Sequence, residues 1–176
     1  MSSMNVVAVD TNLLIYLQQA DMPQHRAARA LFSQWAKQGT KVVLPAPVAA
    51  EYLSGLSVGG RDFEKGLEKA HAFLVRKFGL LAFDEKASLI YARIMSLRTQ
   101  DEVWNRMRKA GSPRRCLLAD IAILATAEAH GIPAFYSGET RRTMRTLAER
   151  AGLNIKVYYL DELPLQYPMD LDKGDK

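Results

Sequence analysis

Cysteine is nearly absent from this chain: Cys116 is the single one. No intramolecular disulfide and no cysteine-based zinc cluster can form, which fits a reducing cytosol. Histidine is scarce as well. His25, His71 and His130 are widely separated and share no metal-ligand spacing, so each reads as structural and zinc is not a leading candidate. No apolar run approaches the roughly 20 residues of a membrane-spanning helix, and residues 1–10 lack the basic, apolar, small-residue order of a signal peptide. The expectation is a soluble cytoplasmic protein with no membrane partner. Internal repeats and low-complexity tracts are also missing. Gly59-Gly60 has neither the lysine nor the helix of a phosphate loop, and Ser54-Gly55-Leu56-Ser57 is not a hydrolase elbow.

What is present is the balance of an ordinary folded domain, with 48% hydrophobic and 24% charged residues. At 176 residues the chain predicts one domain rather than two. Its net charge is +5, unevenly spread. Residues 161–176 hold five acids against two lysines and read as an acidic tail to a domain spanning 1–160. Basic residues gather in 98–115 (Arg98, Arg106, Arg108, Lys109, Arg114, Arg115) and again from Arg141 to Arg150. Such patches suit a polyanion, and they equally suit a solvated helix face.

Short β-branched runs alternate with helical patterns along the chain. Strands are expected at Asn5–Val9, Lys41–Leu44, Leu80–Phe83, Ala134–Tyr136 and Ile155–Tyr159. Helices are expected at Thr11–Gln18, Gln24–Gln38, Val48–Leu53, Phe63–Phe78, from about Glu85 through Leu97, at Cys116–His130 and at Thr140–Ala151. Gly111 and Pro113 break the basic stretch 98–115, which reads as a partly ordered insertion. Trp35 keeps the helical apolar spacing and belongs to the core, whereas Trp104 lies in the insertion. This alternation predicts a three-layer α/β/α sandwich on a mainly parallel sheet of about five strands.

Four acids stand out against that frame. In an open parallel sheet a ligand site lies beyond the carboxyl ends of the strands, where Asp10 and Glu139 fall. Asp10 is also well placed to cap a helix, and Glu139 to complement a helix dipole. Asp120 lies three residues after Leu117 and four before Leu124, on or beside an apolar stripe. A buried carboxylate there must cap, pair with a base or face a cation. Glu51 follows Val48 by three on a short helix and is either solvated or part of the same cluster. Carboxylates ~4 Å apart at an effective dielectric near 20 repel by about 4 kcal/mol per pair, so a cluster takes up protons or binds cations. Oxygen ligands of this kind select Mg²⁺ or Mn²⁺.

The set Asp10-Thr11-Asn12, Glu51 within Pro47-Val48-Ala49-Ala50-Glu51-Tyr52-Leu53, and Asp120 within Leu118-Ala119-Asp120-Ile121-Ala122-Ile123-Leu124-Ala125-Thr126-Ala127 resembles the PIN-domain nucleases. It is similar in particular to their VapC-like toxin branch, over about Asn5 to Tyr159. Where that family usually ends the fourth strand with Thr or Ser, a small or polar residue and Asp, this chain has Ser137-Gly138-Glu139. The resemblance implies a Mg²⁺- or Mn²⁺-dependent endoribonuclease in which Asp10, Glu51, Asp120 and Glu139 hold the metal, leaving 5′-phosphate and 3′-hydroxyl ends. Asn12 and Ser137 are candidates for orienting water or the phosphate, and Arg114, Arg115, Arg141 and Arg142 for steering the RNA backbone. An antitoxin partner and a homodimer are further implications. Two rival readings stand beside it: an inactive PIN-like RNA-binding or protein-interaction module, and a phosphatase with Asp10 as nucleophile, which Asn12 disfavours by replacing the usual second Asp.

Overall fold

The computed structural model describes residues 5–55, 63–97 and 114–164. Five strands, β1 (Val6–Val9), β2 (Lys41–Pro45), β3 (Gly79–Leu81), β4 (Ala134–Ser137) and β5 (Lys156–Tyr159), form one sheet in the order β3-β2-β1-β4-β5. Every pairing is parallel, with Ala8 registered on Val43 and on Phe135. Seven helices among the described residues complete the α/β/α sandwich: α1 (Thr11–Gln18), α2 (His25–Gln38), α3 (Ala46–Gly55), α4 (Phe63–Lys77), α5 (Glu85–Ser96), α6 (Arg114–Ala129) and α7 (Thr143–Arg150). None of these helices is long and apolar enough to cross a membrane.

The central strands are apolar because both faces of a parallel sheet are covered by helices. Ala8, Val9, Leu44 and Phe135 are fully buried. On the Tyr136 side of β4, Trp35 of α2 packs edge-on against the Tyr136 ring at 4.8 Å and is itself buried, as its helical spacing predicts. α6 packs against α3, α5 and α7. Its alanines and leucines make that possible, since Leu117, Ile121, Leu124, Ala125 and Ala127 are all buried.

Element ends differ from expectation where side chains capture the backbone. β3 stops at Leu81 rather than reaching Phe83 because the Ala82 carbonyl pairs with His130 Nε2 at 2.9 Å and Asp84 caps α5 through the Ala87 amide. α6 begins at Arg114, inside the interval expected to be insertion, and the rest of that interval (98–113) lies outside the described residues, as does Trp104. α7 begins at Thr143 rather than Thr140, because Arg142 adopts φ 60°, which no right-handed helix accommodates. The 160/161 boundary drawn for the acidic tail falls inside a 3₁₀ turn, Leu160–Glu162, whose Asp161 and Glu162 are ion-paired with Arg142 and Arg145. Of the tail, residues 165–176 lie outside the described residues.

One glycine is required by proximity rather than by backbone angle. A Cβ at Gly138, just past β4, would stand 2.6 Å from the Tyr16 ring and 3.0 Å from Asn12 Cβ on α1. Gly138→Ala should therefore destabilise the fold by about 1–3 kcal/mol, the usual cost of overpacking. Truncating Tyr16 in the same chain should recover part of the loss, as measured by denaturant unfolding.

Candidate active site

The order β3-β2-β1-β4-β5 reverses direction between β1 and β4, and the crevice beyond their carboxyl ends is where open α/β sheets bind ligands. Asp10 leaves β1 at that point. Its Oδ1 accepts the Leu13 amide at 2.9 Å and caps α1, while Oδ2 accepts the Ser137 hydroxyl and the Gly138 amide, the latter at 3.0 Å. The capping reading of Asp10 thus holds. One oxygen caps a helix, and the other ties β1 to the end of β4.

Asp120 sits in the middle of α6, so capping is excluded for it. Glu51 projects from α3 and accepts the Thr11 hydroxyl of α1. Glu139 lies in the loop after β4, ahead of α7, with its amide donating to Ser137 Oγ at 3.0 Å. These four acids, with Thr11, Asn12 and Arg141, line one cavity of about 150 Å³. Arg141 Nε lies 3.4 Å from Glu139 Oε1 at its rim.

Electrostatics follow from this crowding. Burial raises the Asp120 pKa to about 8, with the charges of Glu139, Glu51 and Asp10 adding to the rise and Arg141 opposing it. Asp10 is raised to about 6, again by burial first, although its three hydrogen bonds pull the other way. Glu139 is raised by burial and held back chiefly by Arg141 and by hydrogen bonds to Thr143. Its Oε2 is buried and makes no hydrogen bond. A buried oxygen left bare in this way calls for a proton or a cation.

The donor set suits a hard divalent ion, being oxygen throughout. Among the described residues no three His, Cys, Asp or Glu side chains are drawn tightly enough to close a metal cage as they lie. The residues fit Mg²⁺ or Mn²⁺ through their chemistry and through the bare Glu139 oxygen.

Other expected residues fall elsewhere. Ser137 is fully buried and spends its hydroxyl on Asp10 and Glu139, so it holds the site together instead of facing a phosphate. Arg142 turns away to Asp161, with Nη2 donating to Oδ2 at 2.7 Å, and is not free to steer a polyanion. Arg114 and Arg115 open α6, and their side chains lie outside the described residues. Thr11 had no assigned role although it stands between Asp10 and Asn12. Its part was hidden because the contact with Glu51 spans 40 residues. His25 and His130 each bond a backbone carbonyl, consistent with structural roles.

The family model of the PIN domain matches residues 7–149. The chain belongs to the PIN-domain family. A comparison with curated protein sequences returned no significant match. Among solved structures, this PIN domain resembles FitAcB from Neisseria gonorrhoeae, with TM-score 0.63 and 22% identity over 89% of this chain and 99% of that one. It also resembles VapBC2 from Rickettsia felis bound to a promoter DNA fragment, at TM-score 0.59 and 14% identity over 88% and 98%. A DNA-bound VapBC from Salmonella typhimurium follows at 0.58 and 15% over 89% and 99%. At these identities the likeness establishes the fold.

The raised carboxyl groups make a pH prediction. Both folded pKa values, about 6 and about 8, exceed the ordinary 3.8 of an aspartate, so the folded state holds protons that the unfolded state has lost. The stabilisation is complete below about pH 4 and is lost as pH rises through 6 and then 8. Asp161 and Glu162, held low by Arg142 and Arg145, titrate below this window. Melting temperature in EDTA should therefore fall from pH 5 to pH 9. Asp120→Asn should flatten the fall and melt higher than the wild type at pH 9.

Proposed function

We propose that this PIN domain is an endoribonuclease that hydrolyses RNA phosphodiester bonds with Mg²⁺ or Mn²⁺, and that it is the toxin of a toxin–antitoxin pair. The cavity that gathers Asp10, Glu51, Asp120 and Glu139 from four separate segments, with Arg141 at its rim, is the observation that carries this reading. Four converging carboxylates repel one another, and a metal-dependent phosphodiester hydrolase uses such a set to hold its ion. PIN domains are nucleases, which supports the same class of chemistry.

Asp10, Glu51, Asp120 and Glu139 would hold the ion, which when bound supplies Lewis acidity and charge neutralisation at the scissile phosphate. Thr11 orients the Glu51 carboxylate through its hydroxyl. Ser137 and the Gly138 amide hold Asp10 Oδ2. Asn12 lines the cavity and can position a water or a phosphate oxygen by hydrogen bonding. Arg141, which borders the cavity with its side chain 49% exposed, is the candidate contact for the RNA backbone. That contact, and any made by Arg114 and Arg115, should weaken with salt.

The partner proposal draws on the structural neighbours. They are VapBC and FitAcB structures, two of them with DNA, which supports an antitoxin bound to this chain as well. A homodimer is proposed with it.

End-labelled RNA incubated with the purified protein should be cut with Mg²⁺ or Mn²⁺ and left intact in EDTA. Asp10→Asn and Asp120→Asn should each lower the rate by about 10²–10³, the loss typical of removing one group that stabilises transition-state charge. Asn at position 10 keeps an oxygen for the Leu13 amide, so RNA binding should persist. Equal binding by all three proteins with no cutting in either metal would leave an RNA-binding module.

A further inference from the structure

Glu139 is a longer and looser arm than an aspartate, so its use in the cavity depends on how firmly its backbone is held. The loop from Gly138 to Arg142 is fixed at both ends. At its start the Gly138 amide and Ser137 hydroxyl are bound to Asp10 Oδ2. At its end stands Arg142 with φ 60°, the single non-glycine residue at positive φ among the described residues. An arginine persists in that conformation only where its surroundings over-determine it.

Those surroundings are unusually complete. The Arg142 guanidinium lies over the Tyr159 ring at 4.3 Å, donates from Nη2 to Asp161 Oδ2 at 2.7 Å, and brings Nε to 3.4 Å from Glu162 Oε1. Its Nη1 reaches back to the Glu139 carbonyl at 3.4 Å. Arg145 shares the same ring at 4.7 Å and takes Glu162 in a two-pronged pair, while its amide donates to the Tyr159 hydroxyl at 3.1 Å. Tyr159 is fully buried, which makes the ring a fixed platform. Exposed ion pairs count for little singly, but here a forked pair, ring stacking and a shared acid act together. The ring and both acids of this clamp lie at 159–162, beyond the 7–149 matched by the family model.

We infer that Asp161 and Glu162 act through Arg142 to position Glu139 in the carboxylate cavity, so that the segment after β5 is part of the active-site support. The inference rests on the metal-dependent reading and deepens it. Arg142 and its acids are positioning residues. They need not touch metal or RNA. Thr143 and Arg141 hold the Glu139 carboxyl group from one side, while its buried Oε2 makes no hydrogen bond, so the placing of that oxygen falls to the backbone beneath it.

The test is Mn²⁺ affinity at low salt, read by calorimetry, for the wild type, the pair Asp161→Asn with Glu162→Gln, Glu139→Gln, and the triple variant. Removing such supporting partners should weaken Mn²⁺ binding by about tenfold. Glu139→Gln should weaken it at least as much, and the triple variant should bind no worse than Glu139→Gln alone, because the two changes act through one residue. Arg142→Lys should retain more affinity than Arg142→Gly, which relaxes the backbone while removing the clamp. Should the pair variant fail to fold, Asp161→Asn alone is read in the same way. Unchanged affinity in the pair variant with weakened binding in Glu139→Gln overturns the clamp and leaves the nuclease reading intact. Additive losses in the triple variant overturn it too. A wild type that binds no Mn²⁺ overturns the metal reading and the clamp's role with it.

Discussion

Asp10 is a carboxylate buried at the carboxyl end of the central strand, and burial of such a group has to be met by hydrogen bonds. It meets that demand with the first turn of α1 on one oxygen and the end of β4 on the other. The same three bonds therefore start a helix, join two strands beyond their ladder and aim a carboxyl group at the crevice. Their pull on its pKa is downward, yet burial wins and the group titrates near 6. The fold has been built around a charge that it does not hold comfortably.

That discomfort is shared. Asp120 comes from the middle of a helix whose neighbours Leu117, Ile121 and Leu124 are buried, and the charges of three other acids outweigh that of Arg141 upon it. Arg141 relieves Glu139 only in part. A site assembled this way is poised to exchange protons for a cation, and its residual repulsion is the reason a metal would be drawn in. On the far side of the loop, Arg142 and Arg145 are consumed by Asp161, Glu162 and Tyr159. The basic run 141–150 is therefore partitioned, with Arg141 at the cavity rim and Arg142 and Arg145 in the scaffold.

Much of this was legible in the sequence. β-branched runs alternating with helical periodicity were enough for the parallel sandwich, and the position of Asp10 and Glu139 after strands was enough for their convergence. Asp120 was legible because a carboxylate on an apolar stripe has few bland explanations. What could not be read was contact between distant segments. Ser137 was a candidate for orienting water or the phosphate because nothing in its neighbourhood announced a bond to Asp10, 127 residues away. Arg142 looked like part of a basic surface because charge counting cannot see a left-handed backbone or an acidic turn folded back upon it. The approach of Tyr16, 122 residues away, makes Gly138 a packing requirement that its local sequence does not announce.

Proton release on metal binding tests the coupled carboxylates most directly. Calorimetric titration with Mn²⁺ at pH 7 in two buffers of different ionisation heat yields the number of protons displaced. With Asp120 titrating near 8 and Asp10 near 6, about one proton should leave per ion bound, because metal ligands bind deprotonated. In Asp120→Asn that release should largely disappear. Mn²⁺ binding without proton release in the wild type would contradict the account, since the cavity acids would then already be ionised at pH 7 and the crowding that holds their protons would not exist.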